Sequence, residues 1–345
     1  MMMNIAYIAF GKSTTRYHLP YVLTRKDKFN VKWIYARRRK PQLESQPAYQ
    51  GIQFTAELND ILHDDTITLV TVCTPPESHF HYARLCLEHG KHVLVEKPFT
   101  TTLAEAEALY ALAREKGLTV TPFQNRRFDS CFLTMKQAID SGKLGDIVEI
   151  ESHFDYFRPE AETCPGSPVN GALYGLGVHT LDQIIALLGR PQKVGYDLRS
   201  VRNPANPDDT FEVQLYYPRT KAIVKTSHLV KLGYPKFTVH GTRGSFIRYG
   251  IDQQETSLKA GIMPGDAGFA EDNEKALLEY LNPQGDCVRE EIPAVPGDYG
   301  RVYDALYETL TRGKASYVSE QEALTNLEIL EKAFRQPSPA VVALR

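Results

Sequence analysis

The sequence is sparing with cysteine. Its 345 residues include five, Cys73, Cys86, Cys131, Cys164 and Cys287. None belongs to a CxxC pair and no Cys/His cluster has zinc-site spacing, which argues against a structural zinc module. An odd count would leave one thiol outside a complete disulfide framework, so a reducing compartment is expected. Excess charge of either sign is missing too. Lys+Arg number 40 against 42 Asp+Glu, a net −2, which argues against a broad basic surface for nucleic acid. No apolar run reaches the roughly 18 residues that a membrane helix needs. The start, Met1-Met2-Met3-Asn4, has neither a basic stretch nor a cleavage site, so a cytoplasmic protein engaging neither nucleic acid nor membrane is expected. Internal repeats and low-complexity segments are absent from the sequence.

What is present reads as an ordinary globular chain, 42% hydrophobic and 24% charged, long enough for two domains. In the first third, short apolar runs at 4–10, 31–35, 68–73, 92–95 and 118–121 predict strands. Helical patterns separate them, one around 78–89 ending at Gly90 and one over 103–116 stopped by Gly117. Nearly continuous apolar strands divided by helices predict a parallel sheet covered on both faces, so residues 1–122 should form a doubly wound α/β unit. Beyond Pro122 the pattern changes. A helix near 132–141 leads into alternation at 147–155, and alternation returns at 211–217 and 222–226. Gly241 to Gly244 reads as a hairpin loop. A helix starting near Gly177 carries Val178, Leu181, Ile185 and Leu188 as an apolar stripe. Residues 123–345 are therefore expected to form an α+β domain with a large, mostly antiparallel, open-faced sheet.

The turn after the first strand reads Ala9-Phe10-Gly11-Lys12-Ser13-Thr14 and keeps only the middle glycine of a GxGxxG fingerprint. That glycine lets backbone approach a pyrophosphate. Read as a cofactor turn, Phe10, Gly11, Lys12, Ser13 and Thr14 contact the dinucleotide; read plainly, they are a strand-to-helix turn. The second strand ends in Tyr35-Ala36-Arg37-Arg38-Arg39-Lys40, with no carboxylate for a ribose 2′-hydroxyl and four cations instead. Arg37 and Arg38 would suit a 2′-phosphate, so NADP(H) is preferred to NAD(H); the alternative is a solvated basic loop. Thr74-Pro75 with His79 follows the third strand, and Glu96-Lys97-Pro98 closes the fourth. A lysine there points into the crevice where α/β folds bind ligands, unless it is only a surface lysine before a proline stop.

These motifs, together with Asn125-Arg126-Arg127 and the run from Gly171 to Asp182 that contains His179, follow one another in an order that resembles the glucose–fructose oxidoreductase, inositol dehydrogenase and MocA (Gfo/Idh/MocA) family over essentially the whole chain. Arg126-Arg127 and the Phe246 to Asp252 run look similar to an NADP-dependent scyllo-inositol dehydrogenase branch. The resemblance implies a Rossmann domain followed by an open-sheet domain, with the active site at their junction. It places the catalytic lysine at Lys97 and the catalytic histidine at His179, and lines the cofactor with Thr74, Pro75, His79, Glu96 and Lys97 besides the turn. A homodimer or homotetramer through the second sheet is implied.

One departure stands out. Inositol-type members carry an Asp four residues before this histidine, and Gly175 occupies that position here. On a helix, 175, 179 and 182 share a stripe opposite the apolar one, so Asp182 either substitutes for the missing carboxylate or orients the His179 ring. Asp155, Tyr156, Arg158 and Tyr174 are further candidates for a substrate pocket. Arg158 reads equally as a structural ion-pair partner, while Tyr174 is placed to stack on a sugar-like ring. Arg126 and Arg127 are expected to tie the domains together. The reading is an NADP(H)-dependent oxidoreductase of a sugar, inositol or derived ketone. Its alternative is a non-catalytic NADP-binding sensor, which the missing Asp favours and the retained Lys97 and His179 oppose.

Overall fold

A computed structural model of the chain describes residues 2–162 and 165–339, so Cys164 lies outside the described residues. Contacts divide it into two compact units: Met1–Gln124 with Gly261–Ala267 and Tyr299–Leu324, and Asn125–Ala260 with Gly268–Asp298 and Thr325–Arg345. Neither unit is one continuous stretch of sequence.

The first unit is built on a six-stranded parallel sheet: β1 (Met3–Ile8), β2 (Phe29–Tyr35), β3 (Gln53–Thr55), β4 (Ile67–Val72), β5 (His92–Val95) and β6 (Val120–Pro122). Its order, β3-β2-β1-β4-β5-β6, is that of a dinucleotide fold and reverses direction between β1 and β4. Strand burial follows composition: Ile5, Ile8, Leu69, Val70, Val93 and Leu94 are fully buried, as strands covered on both faces require. The helix Leu103–Lys116 starts on a capping box in which Thr102 and Glu105 satisfy each other's backbone N–H. It stops at Gly117, whose φ of 66° closes the last turn. The short edge strand β3 carries no apolar run and escapes the sequence pattern.

The second unit holds an eight-stranded sheet. Its strands are β7 (Ile147–His153), β8 (Lys193–Arg199), β9 (Thr210–Tyr216), β10 (Lys221–Ser227), β11 (Phe237–Gly241), β12 (Gly244–Arg248), β13 (Ala276–Leu281) and β14 (Cys287–Ile292). The order is β14-β13-β12-β11-β7-β10-β9-β8, antiparallel throughout except for the parallel pair β7–β10. Gly241 and Gly244 bound the β11–β12 hairpin. Phe211, Val213, Leu215, Ala222 and Val224 are buried on the face toward the helices Ser130–Asp140 and Val178–Leu188. The other face carries rows of charge, such as Glu151, Lys225 and Glu212 on adjacent strands. Among the described residues no helix is long and apolar enough to cross a membrane, and no group of His, Cys, Asp and Glu is placed to hold a metal.

Candidate functional site

In the first unit the residues flagged at the sheet's point of reversal come together. The chain leaves β1 through Ala9 at φ 88°, a left-handed conformation that the fingerprint's first glycine would adopt without strain. Gly11 follows, and a Cβ added there would meet nothing within 4 Å, so the space over the turn is open. Thr14 is buried and its hydroxyl donates to the Ala9 carbonyl at 2.8 Å, fastening the turn to a π-helical start at Thr14–His18. Phe10 faces inward, packing edge-on to Tyr49, so its side chain is not placed to meet a cofactor. Lys12 is exposed and Ser13 half-buried.

The basic run at the end of β2 divides in two. Arg39 makes a forked ion pair with Glu44, and the Lys40 ammonium donates to the Phe10 carbonyl at 2.6 Å. Arg37 and Arg38 are exposed and make no hydrogen bond or ion pair with any described residue. The two arginines singled out in the sequence are thus the two left over for a ligand.

Lys97 follows β5 on a half-buried strand end, with a cis bond to Pro98. Glu96 and His79, expected along the cofactor, are spent inside the protein instead. The Glu96 carboxylate is buried and accepts from the Ser13 hydroxyl, from His18 Nε2 at 3.0 Å and from the Lys97 backbone N–H at 2.9 Å. Burial opposes its ionisation, but His18, Ser13 and the neighbouring Lys97 outweigh that and bring its pKa down to about 2. His79 is fully buried, its two nitrogens on the carbonyls of Pro98 and Thr74, both at 2.8 Å. It pins the backbone that carries Lys97 to the backbone that carries Thr74. Pro75 is exposed, while the Thr74 hydroxyl is buried without a hydrogen-bond partner.

In the second unit His179 sits in the first turn of the helix Val178–Leu188, which opens on a π-helical turn at Leu173–Gly177. The polar stripe expected opposite the apolar one is buried as well, with His179, Thr180, Asp182 and Gln183 all out of solvent. The π turn also breaks the α-helical spacing between Gly175 and His179. The Asp182 carboxylate is already engaged by an arginine. Both of its oxygens hold Arg127, at 2.7 and 2.8 Å, while Gln183 donates to the Arg126 carbonyl at 2.7 Å. Arg126 itself pairs with Asp129 and Glu255.

Of the residues expected at a substrate pocket, Tyr156 and Arg158 line one cleft with Gly175. It measures about 500 Å³ and is bordered also by Arg202, Asp208 and His228. The Arg158 guanidinium lies 3.9 Å over the Tyr156 ring. Asp155 and Tyr174 lie elsewhere. Asp155 accepts from Ser227 N at 2.8 Å and faces His153 Nδ1 at 2.9 Å, tying β7 to β10. Tyr174 is buried and stacks on Phe334 rather than on a ligand, and burial lifts its hydroxyl to about 12.

Three cleft residues were not signalled by the sequence. His228 has an unpartnered, buried Nδ1, and burial with the nearby arginines lowers its pKa. Burial raises the Asp208 carboxyl to about 6, and one of its oxygens caps Leu173 N at 2.7 Å. Arg202 pairs with Asp209. Only their position at strand ends and loops beside alternating segments could have drawn attention to them.

Comparison with known proteins agrees with this arrangement. Residues 3–124 match the family model described as "Oxidoreductase family, NAD-binding Rossmann fold", and residues 136–341 the one described as "Oxidoreductase family, C-terminal alpha/beta domain". The chain is 66% identical over 344 residues to the uncharacterised oxidoreductase YhhX of Escherichia coli, covering 100% of this chain and 99% of the relative. It is 32% identical to the scyllo-inositol 2-dehydrogenase (NADP(+)) IolW of Bacillus subtilis, covering 96% and 92%. A crystal structure of an oxidoreductase from Bacillus cereus, 46% identical and covering 100% of both chains, superposes with a TM-score of 0.96. The chain belongs to the Gfo/Idh/MocA family of oxidoreductases.

Proposed function

We propose that the protein is an NADP(H)-dependent oxidoreductase that interconverts a hydroxyl and a carbonyl on a polyhydroxylated substrate, a sugar, an inositol or a derived ketone. The observation that carries this reading is that one carboxylate, Glu96, joins the Gly11–Thr14 turn to Lys97, setting a lysine beside the place where a dinucleotide's pyrophosphate would lie. The residues present fit the cofactor. The space over Gly11 is open, the Thr74 hydroxyl is buried without a partner, and Arg37 and Arg38 are unpaired where a 2′-phosphate would sit. The B. subtilis relative whose name specifies NADP(+) supports the same preference.

A nicotinamide cofactor held here would supply or accept hydride at its C4. Lys97 donates a hydrogen bond to the substrate oxygen, and the His179 imidazole takes up the hydroxyl proton on oxidation and returns it on reduction. The cleft that holds Tyr156, Arg158 and His228 offers a stacking surface and several donors to a hydroxylated ring. Gly175 leaves its floor open where inositol-type members place a carboxylate. The polar face of the second sheet joins copies into a homodimer or homotetramer, and the described cysteines serve as free thiols in a reducing compartment.

The test is Lys97→Met assayed with NADP+ or NADPH against a panel of inositols, sugars and ketoses. Turnover by the wild-type protein and its loss in the variant, with NADPH still bound, is the expected result. Turnover at the wild-type rate in the variant would remove Lys97 from the chemistry. NADPH binding without consumption by the wild-type protein across the panel would favour the sensor.

A further inference from the structure

Behind Lys97, inside the first unit, runs a chain of buried polar groups that the proposed chemistry does not use. Tyr7 and Tyr303 meet through their hydroxyls at 2.7 Å, and the Tyr303 hydroxyl lies 2.7 Å from His18 Nδ1. His18 Nε2 is 3.0 Å from Glu96 Oε1, which also accepts from Ser13, while Oε2 accepts the Lys97 backbone N–H. Tyr7, His18 and Tyr303 are wholly buried, and the imidazole packs on Phe123 with ring centres 4.0 Å apart and the planes tilted by 34°.

Direction follows from the chemistry of each group. A carboxylate only accepts, so Nε2 carries a proton and donates to Glu96. Nδ1 shares a hydrogen bond with the Tyr303 hydroxyl, which shares another with the Tyr7 hydroxyl. Every ring nitrogen and hydroxyl along the line has a partner, so the imidazole has one orientation. A buried carboxylate with three donors converging on it has one orientation too.

We infer that His18 and Tyr303 are positioning residues for Lys97. Through Glu96 they hold the Lys97 strand end and the Ser13 turn in one fixed register, without touching substrate themselves. The inference rests on the reading of Lys97 as a catalytic group. What it adds is the mechanism of placement: the same carboxylate that grips the dinucleotide turn grips the lysine's backbone, and the imidazole–phenol line keeps that carboxylate from rotating.

The experiment is amide hydrogen exchange on the full chain, comparing wild type with Tyr303→Phe, His18→Leu and His18→Gln. Tyr303→Phe and His18→Leu should each speed exchange of the Lys97 N–H and of the Ser13–Thr15 amides by about tenfold, the equivalent of one lost hydrogen bond. Amides within Leu103–Lys116 should be unaffected. His18→Gln, which retains a donor toward Glu96, should restore most of the protection at Lys97. Unchanged exchange at Lys97, or an equal rise in the Leu103–Lys116 helix, would show a network that only stabilises the fold and would overturn the inference. Lys97→Met turnover separates the two ideas: full activity there removes the catalytic reading while the exchange result still decides whether the network holds the strand end.

Discussion

Arg127 grips Asp182 at two points, Nε to Oδ2 at 2.7 Å and Nη2 to Oδ1 at 2.8 Å, with both side chains almost wholly out of solvent. Arg127 lies at the start of the second unit and Asp182 one turn beyond His179, so the pair fixes the helix that carries the histidine. Removing one partner of a buried pair leaves the other charged and unpaired, at a cost of about 3–5 kcal/mol. Asp182→Ala should therefore lower the unfolding free energy by about that amount in urea melts. Arg127→Lys should recover little of the pairing, because an ammonium cannot make the fork. A melt unchanged by Asp182→Ala would return Asp182 to the list of ligand-binding groups.

Arg37→Asp tests the cofactor preference. Replacing an unpaired cation by an anion at a 2′-phosphate should weaken NADPH binding by about 10–100-fold, the worth of a charge-assisted hydrogen bond. NADH binding should change by less than about threefold, since it has no group at that position. Fluorescence titration of both cofactors measures the difference. Equal losses would show that Arg37 does not face the 2′ position.

Ala9 offers a test of the turn. With φ at 88°, its Cβ sits in a region that L side chains rarely adopt, at a cost of about 1–2 kcal/mol. Ala9→Gly removes that strain and loses part of the gain to the greater freedom of the unfolded chain, so a net stabilisation of up to about 1 kcal/mol is expected. Ala9→Val should be clearly destabilising. Chemical denaturation of the two variants beside the wild type provides the readout, and a less stable glycine variant would contradict the account.

Glu96 predicts an acid dependence of defined sign. Its pKa in the folded protein is depressed to about 2, below the value of an unfolded glutamate, so the folded state holds the charged form more tightly. Its contribution to stability is fully present above roughly pH 4.5 and is lost as pH falls toward about 2. Glu96→Gln should thus be less stable than wild type at pH 7, with the gap closing on acidification. Urea melts at pH 7, 4 and 3 follow it. A gap independent of pH would mean that the carboxylate's charge is not what the Ser13, His18 and Lys97 donors hold.

Much of the frame was legible because it is local. Apolar runs bounded by Gly90 and Gly117 mark the strands and helices of the first sheet, and period-two alternation marks β7, β9 and β10. The Gly11 turn, the unpaired Arg37 and Arg38 and the Lys97 strand end were legible because the parallel fold itself brings strand ends to one edge. What stayed hidden depends on partners far apart in the chain. Nothing in the local sequence shows that Asp182 is taken by Arg127, that Tyr174 stacks on Phe334, or that Glu96 turns inward to His18. A polar residue beside a motif looks the same whether it faces a ligand or a buried partner.

The first unit is closed by a late segment. Tyr303, within the helix Arg301–Arg312, is fully buried against Tyr7 and His18, which are synthesised almost three hundred residues earlier. As the chain emerges from a ribosome, residues 1–124 must therefore wait with that part of their core uncovered until Tyr299–Leu324 has been made. The nucleotide-binding half comes first in the sequence, but it is among the last parts of the molecule able to finish folding.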